Sequence, residues 1–327
     1  MANLKTTYMG LELRNPLIVA SSSLSMTIDG IRKCADAGAG AVVLKSMFEE
    51  QVLAEIESIE KQMDYPWHTE ALEYVEGMKV ALGPVQYLKL IEKAKKTVDI
   101  PVIASLNCVS PKIWVDYTRR IAGAGADAIE LNISIMPSNP KREGTEIEGM
   151  YFDIVERVRS SVDIPIAVKM GPYFSSIASV AYGLYRRGVQ ALVLFNRFYQ
   201  LDIDINTLRL APGIRFSSSD EISLPLRWIT LLAGRFEIDL AASTGVHDSA
   251  GVIKQLLAGA TVVQLCSTLY LNGLETIGKI LEELEGWMVK HGFDSVDDFR
   301  GKLSQMQSDN AELYERLQYI KALVGIE

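Results

Sequence analysis

The sequence predicts an α/β fold, a (β/α)8 TIM barrel with a helical extension at the C-terminus. Three observations predict it. Apolar, β-branched runs recur eight times along the 327 residues. They are continuous rather than alternating in polarity, as parallel strands buried on both faces require. Stretches of helical spacing separate them. Eight strand-then-helix units in one chain fit a closed barrel better than an open sheet.

The strands enter in two alternating styles. A glycine-led turn opens Gly38–Lys45, Gly125–Asn132, Gly188–Phe195 and Gly259–Cys266. An acidic residue followed by Ile opens Val98–Ser105, Val162–Lys169 and Phe236–Ser243, and Pro16–Ser21 starts the series. The expected helices are Ile28–Ala37, Val85–Thr97, Ile113–Ala124, Phe152–Ser161, Ile177–Arg187, Pro225–Gly234, Ser249–Ala258 and Leu274–His291. Glycine ends several of them, as a helix C-cap should. A barrel of this class takes about 250 residues. The excess lies in Ser46–Leu82, Ile133–Met150, Arg197–Leu224 and a helical tail from about Gly292, where Leu313, Leu317 and Ile320 share a helix face in Asp309–Leu323. The first three segments follow strands 2, 4 and 6, on the face where such barrels carry their chemistry. No linker or composition break interrupts the chain, so residues 1–327 are expected to form one domain.

Composition narrows the function. The net charge is −8 with no basic block, which argues against nucleic acid and anionic membranes as partners. No apolar run approaches a membrane span, and Met1–Gly10 lacks a signal-peptide core, so a cytoplasmic protein is expected. Cys34, Cys108 and Cys266 are far apart, as are His68, His247 and His291, and neither set has metal-ligand spacing. No metal site is expected, and no G-x-G-x-x-G is present.

Candidate chemistry sits at the strand ends. Ser21, Lys45, Ser105 with Asn107 just after it, Asn132, Lys169 and Asn196 fall at the barrel mouth. Lysine is rarely buried unless paired, so two strand-closing lysines point to a phosphate, a Schiff base or an anionic cofactor. A salt bridge to Glu130 or Glu49 is the structural alternative. The last two strands end in Ser243-Thr244-Gly245-Val246 and Cys266-Ser267-Thr268. Backbone N–H groups of such turns hold phosphate in many barrels. The same small residues also close ordinary βα loops, and taken alone the stretch leaves the two alternatives level.

The motifs Asn15–Ser23 (NPLIVASSS), Val42–Ser46 (VVLKS), Glu130–Ser134 (ELNIS), Ile166–Lys169 (IAVK), the ASTGV and LAGATVVQLCST stretches and the Gly286–Ser304 tail fall in order over nearly the whole chain. Together they resemble the dihydroorotate dehydrogenase family, and the tail resembles its cytosolic class. The resemblance implies an FMN-containing barrel that oxidises a dihydropyrimidine-like substrate, and a homodimer. It implies that Ala20 and Ser21 lie against the flavin ring. Lys45, with Ser46 beside it, would contact flavin and substrate. Asn107 would belong to the flavin set, and Asn132 would bond both flavin and pyrimidine. Lys169 would sit at the flavin N1/O2 edge, where its charge favours the reduced anion. Thr244-Gly245 and Cys266-Ser267 would hold the FMN phosphate, and Asn196 would face the substrate.

Two loops depart from the family pattern. After strand 4 the family continues to Cys-Pro-Asn, and the cysteine is the catalytic base; here Ile135 holds that position, with Met136 inserted after it. Ser134 and Ser138 are the nearest candidate bases, and each needs activation. The family's Asn-x-Met-Gly substrate loop is replaced by Tyr65–Thr69, with Glu73-Tyr74 beyond, and His68 there is a rival base. Two other functions stay open: a Schiff-base lyase or aldolase using Lys45 or Lys169, and an FMN- or pyrimidine-binding protein that has lost catalysis. The electron acceptor is not encoded in any motif.

Overall fold

The computed structural model describes residues 2–51, 84–108, 114–197, 200–213 and 216–308, with 311, 320 and 324 in the tail. The eight expected strands are β3 (Leu17–Val19), β4 (Ala41–Val43), β6 (Val102–Cys108), β7 (Ala128–Ile133), β8 (Ile166–Met170), β9 (Ala191–Leu194), β12 (Asp239–Ser243) and β13 (Val262–Leu265). Each pairs in parallel with its neighbours, and β13–β3 and β4–β6 contacts close the ring. This is a (β/α)8 barrel. β5 (Met47–Phe48) runs on beside the end of β6.

The helices are α1 (Ile28–Asp36), α2 (Pro84–Thr97), α3 (Trp114–Gly123), α4 (Gly144–Arg159), α5 (Ile177–Tyr185), α6 (Ser223–Leu232), α7 (Ser249–Ala258), α8 (Ser267–Asn272) and α9 (Thr276–His291). Thr27, Ser176 and Asp248 cap α1, α5 and α7 by accepting from backbone N–H groups, satisfying donors that a helix start leaves unpaired. Gly259 ends α7 at φ 117°, a conformation that disfavours any side chain.

Two helices and two hairpins differ from expectation. α4 begins eight residues before Phe152. Ile147, Tyr151, Ile154, Val155 and Val158 are its buried positions, and Gly144 and Gly149 obscured that periodicity in the sequence. The strand 8 turn is itself a short helix, α8, ahead of α9. Two hairpins were not foreseen: β1 (Thr6–Tyr8) with β2 (Leu11–Leu13), and β10 (Gln200–Asp204) with β11 (Arg209–Gly213). In the tail helix expected at Asp309–Leu323, positions 311 and 320 are helical and Ile320 is exposed. Leu313 and Leu317 lie outside the described residues, as do Tyr65–Thr69 and Glu73-Tyr74.

Two cores hold the barrel. The larger lies between strands and helices and includes Leu17, Val42, Leu131, Val168, Leu192 and Val263. The smaller fills the barrel interior, where Ala41, Ala128, Ala167, Ala191 and Ala241 leave room that bulky residues would occupy. The β1–β2 hairpin plugs that room from below with Tyr8, Met9 and Leu13. Higher up, the small side chains leave space for polar groups under the mouth.

Candidate active site

At the C-terminal ends of the strands, a cavity of about 290 Å³ opens between β3, β8, β9, β12 and β13. Ala20, Ser21, Lys169, Asn196, Thr244, Gly245, Cys266 and Ser267, all expected there from sequence, line it. Lys45, Ser46, Asn107, Asn132, Ser134 and Ser138 do not. The mouth thus has two sides, and they are built differently.

On the side of β12 and β13, consecutive residues have positive φ: Thr244 at 82° and Gly245 at 78°. Glycine accepts this conformation freely, whereas a β-branched residue there is strained. Thr244 Oγ1 donates to the Phe195 carbonyl at 3.3 Å, which offsets part of the strain. Gly245 has a second requirement. A Cβ on it would lie 2.2 Å from the Ile222 nitrogen, because residues 219–222 pass directly over the turn. Those residues belong to Arg197–Leu224, the segment expected on this face of the barrel, although none of them was singled out from sequence. Ser217 Oγ accepts from the Gly245 N–H at 3.4 Å and lies 3.2 Å from His247 Nε2. The Ser217 N–H donates to Ser267 Oγ at 3.0 Å. Arg197 grips Glu221 with two hydrogen bonds, Nε–Oε2 at 2.8 Å and Nη2–Oε1 at 3.2 Å. Burial is the largest influence on Glu221 and pushes its carboxyl up; Arg197, the Ser218 N–H and His247 outweigh it and hold the group below the usual range. Phe216 stacks on Tyr270 at 5.2 Å, and the Tyr270 hydroxyl bonds Ser23 Oγ at 2.5 Å, so three loops are strapped together.

Lys169 forms the cavity floor. Its side chain is 10% exposed, and Nζ donates to Gln264 Oε1 at 3.2 Å. Gln264 in turn donates through Nε2 to Glu130 Oε2 at 2.5 Å. Glu130 Oε1 lies 3.9 Å from Nζ. The expected structural alternative, a salt bridge to Glu130, is therefore present as an open pair bridged by an amide. Cys266 faces the same cavity, and burial pushes its thiol above the ordinary range, so it is a neutral group there.

On the other side, the polar groups are tied to one another. Ser46 accepts or donates to Ser105 at 2.8 Å and to Ser21 at 3.0 Å, and its N–H donates to Ser21 Oγ at 2.8 Å. Tyr87, buried, accepts from the Ser105 N–H at 2.8 Å. Asn196 Nδ2 donates to Asn132 Oδ1 at 2.7 Å, joining β9 to β7 across β8. Lys45 and Asn107 are half-buried nearby. The loop after β7 is different. Ile135 is 8% exposed and packs into the larger core, while Met136 is 56% exposed. Ser134 is half-buried and Ser138 exposed, and neither side chain has a hydrogen bond among the described residues. Nothing described there would deprotonate a serine. Burial pushes the nearby Tyr151 hydroxyl up to about 12, and it donates to the Ile133 carbonyl at 3.1 Å.

Arg197, Phe216, Ser217, Glu221 and His247 were missed by sequence reasoning. Arg197 follows Asn196 at a strand end and His247 follows the small-residue turn, so position alone could have flagged both. No spacing signals Ser217 or Glu221. Among the described residues, no cluster of His, Cys, Asp and Glu could hold a metal ion, and no helix is long and apolar enough to cross a membrane.

Comparison with known proteins places this architecture. A family model described as dihydroorotate dehydrogenase matches residues 76–288, more than half the chain. A Methanothermobacter thermautotrophicus protein named dihydroorotate dehydrogenase B (NAD(+)), catalytic subunit, is 29% identical over 91% of this chain and 97% of its own. The protein of the same name from Pyrococcus furiosus is 28% identical over 91% and 98%. Dihydropyrimidine dehydrogenase (NADP(+)), chloroplastic, from Arabidopsis thaliana is 22% identical over 96% and 80%. With a closed (β/α)8 barrel and a polar mouth at its strand ends, this chain belongs to the dihydroorotate dehydrogenase family.

Proposed function

We propose that this chain, acting as one domain, is an FMN-dependent dehydrogenase that oxidises a C–C single bond in a dihydropyrimidine-like substrate. One observation carries the proposal. A largely buried ammonium, Lys169, and a turn with two consecutive positive-φ residues, Thr244-Gly245, face the same cavity. The donor set fits FMN. Backbone N–H groups of the Thr244-Gly245 and Cys266-Ser267 turns and the Ser267 hydroxyl suit a phosphate, which would take the Gly245 N–H over from Ser217 Oγ, and a cation under the mouth suits an electron-rich ring. Ala20 and Ser21 would flank that ring. Bound FMN supplies a two-electron acceptor for hydride. Lys169 holds positive charge where negative charge develops. Asn132 and Asn196, already bonded to each other, would exchange that bond for amide contacts to the pyrimidine. Lys45 would orient the substrate, and Ser134 or Ser138 would have to take the second proton. The names of the relatives favour dihydroorotate or another dihydropyrimidine as the substrate.

Two of those names also say "catalytic subunit" and carry NAD(+). We infer that a companion subunit passing electrons to NAD(+) joins the chain, alone or as the homodimer expected from resemblance. Sedimentation of the purified chain tests the homodimer, which a monomer counts against, and co-purification of a second polypeptide tests the companion. The test of the reaction is anaerobic. Purified protein should carry flavin absorbance and bleach with dihydroorotate, dihydrouracil or dihydrothymine. Protein that neither holds nor takes up FMN overturns the assignment, and borohydride trapping of a substrate on Lys45 or Lys169 would favour the lyase instead. Flavin that no dihydropyrimidine bleaches would favour a binding protein, a function that the buried Ile135 supports.

A further inference from the structure

The barrel interior beneath the mouth holds an ionic arrangement that the proposed reaction does not itself require. Glu130 is 1% exposed, and among the described residues its Oε1 has no hydrogen-bond donor. A buried carboxylate is costly unless it is paired. Among the described residues the one cation close to it is Lys169, whose Nζ stands 3.9 Å from that oxygen, too far for a hydrogen bond. Gln264, 2% exposed, spans the gap, accepting from Lys169 and donating to Glu130. An ammonium has three N–H donors. Gln264 takes one of them, and the open pair leaves the others for whatever enters the cavity. Tyr8 and Cys266, the polar neighbours, add no charge. Tyr8, fully buried, is held well above its ordinary range by desolvation, with Glu130 and Asp239 adding to it. Cys266 is raised by burial as well.

We propose that Glu130 is a positioning residue for Lys169: through Gln264 it fixes the ammonium under the cavity and cancels part of its charge. Glu130 therefore limits how strongly the site favours an anionic reduced ring. The consequence for flavin rests on the proposed cofactor, while the pairing itself does not. Since the carboxylate acts through the ammonium, removing Lys169 should also remove any effect of Glu130.

The experiment has two arms on the full chain. In the first, melting temperatures of apoprotein are compared for wild type, Glu130→Gln, Lys169→Met and the double variant. Removing one partner of a buried pair leaves the other uncompensated, whereas removing both does not. Each single variant should melt lower, and the double variant should lose less than the sum of the two. Additive losses overturn the pairing. In the second, FMN-loaded protein is titrated with sulfite. Sulfite adds through its sulfur lone pair to flavin N5, placing negative charge on the ring with no leaving group, so its affinity reports the positive potential of the site. Glu130→Gln should tighten sulfite binding about tenfold. It should have no effect in the Lys169→Met background. An unchanged or weakened affinity, or an equal shift in both backgrounds, overturns the proposal. If wild type takes up no FMN, the cofactor assignment fails by itself, and the melting cycle still decides the pair.

Discussion

The two sides of the mouth make an instructive contrast. The turns after β12 and β13 are held before any ligand arrives: Gly245, Ser217, Ser267 and His247 form one hydrogen-bonded set, and Arg197 clamps Glu221 over it. The loop after β7 has no such set. Ile135 turns into the core, and Ser134 and Ser138 lack side-chain partners among the described residues. Binding a phosphate needs preorganised donors, and removing a proton needs a group of suitable pKa. One side has its polar groups held in place within the described residues, as the proposed phosphate site requires. The other does not.

The largest expected effect tests the weaker side. A general base contributes roughly 10²–10⁴ in rate. Anaerobic flavin reduction by dihydroorotate should therefore be slow in wild type by about that factor relative to a chain with a placed base. Ile135→Cys supplies an ionisable group, and stopped-flow reduction should accelerate if the loop can turn it outward. Because Ile135 is buried, the same change also removes core volume and should cost about 1–3 kcal/mol of stability. Fast wild-type reduction that survives both Ser134→Ala and Ser138→Ala would break the contrast, because the base would then come from another loop.

On the stronger side, Gly245→Ala should be the most damaging single methyl group. It meets the Ile222 backbone at 2.2 Å and sits at φ 78°. Backbone cannot rotate away as a side chain can. Overpacking costs roughly 1–3 kcal/mol and the left-handed conformation about 1–2 more. Calorimetry of the apoprotein should show a clear drop in Tm. A variant that melts like wild type would mean that residues 219–222 do not lie on this turn.

These two residues also show what could be read from sequence. The eight strands were legible because burial on both faces writes an unbroken apolar run into each. Lys169 and Gly245 were legible because strand ends and small-residue turns have fixed positions in such a barrel. The start of α4 was hidden by Gly144 and Gly149, which dilute a periodic signal. The β1–β2 plug was hidden because three-residue strands carry too few positions to show a period. Glu221 and Ser217 were out of reach for another reason: each earns its place by a contact with a residue 24 to 30 positions away, and no local pattern encodes such a contact.

Thr244 separates strain from hydrogen bonding on the ordered side. Thr244→Val keeps the β-branched shape at φ 82° and removes the hydroxyl that reaches the Phe195 carbonyl. It should cost about 1 kcal/mol. Thr244→Gly loses the same bond but relieves conformational strain of about 1–2 kcal/mol, less about 0.5–1 for the added freedom of the unfolded chain. It should be close to neutral in denaturant unfolding. Equal losses in both variants would show that the turn is not strained at this residue.

The smallest effect concerns the Arg197–Glu221 clamp and is seen only against pH. The folded protein holds the Glu221 carboxyl below its usual range: burial opposes this, but Arg197, the Ser218 N–H and His247 prevail. A carboxyl lowered by folding stabilises the folded state above its unfolded pKa, and the gain is lost as pH falls through the folded value. Glu221 is 32% exposed, so solvent screening keeps the contribution to about 0.5 kcal/mol or less. Melting curves of wild type and Glu221→Gln should differ most near neutral pH and converge as the solution is acidified below the ordinary glutamate range. The gap should also narrow with added salt, because the pair is only partly shielded from water. A gap that stays constant down to strongly acidic pH would show that Glu221 matters for its shape and not its charge. The ordered side of the mouth would then rest on packing and backbone geometry alone.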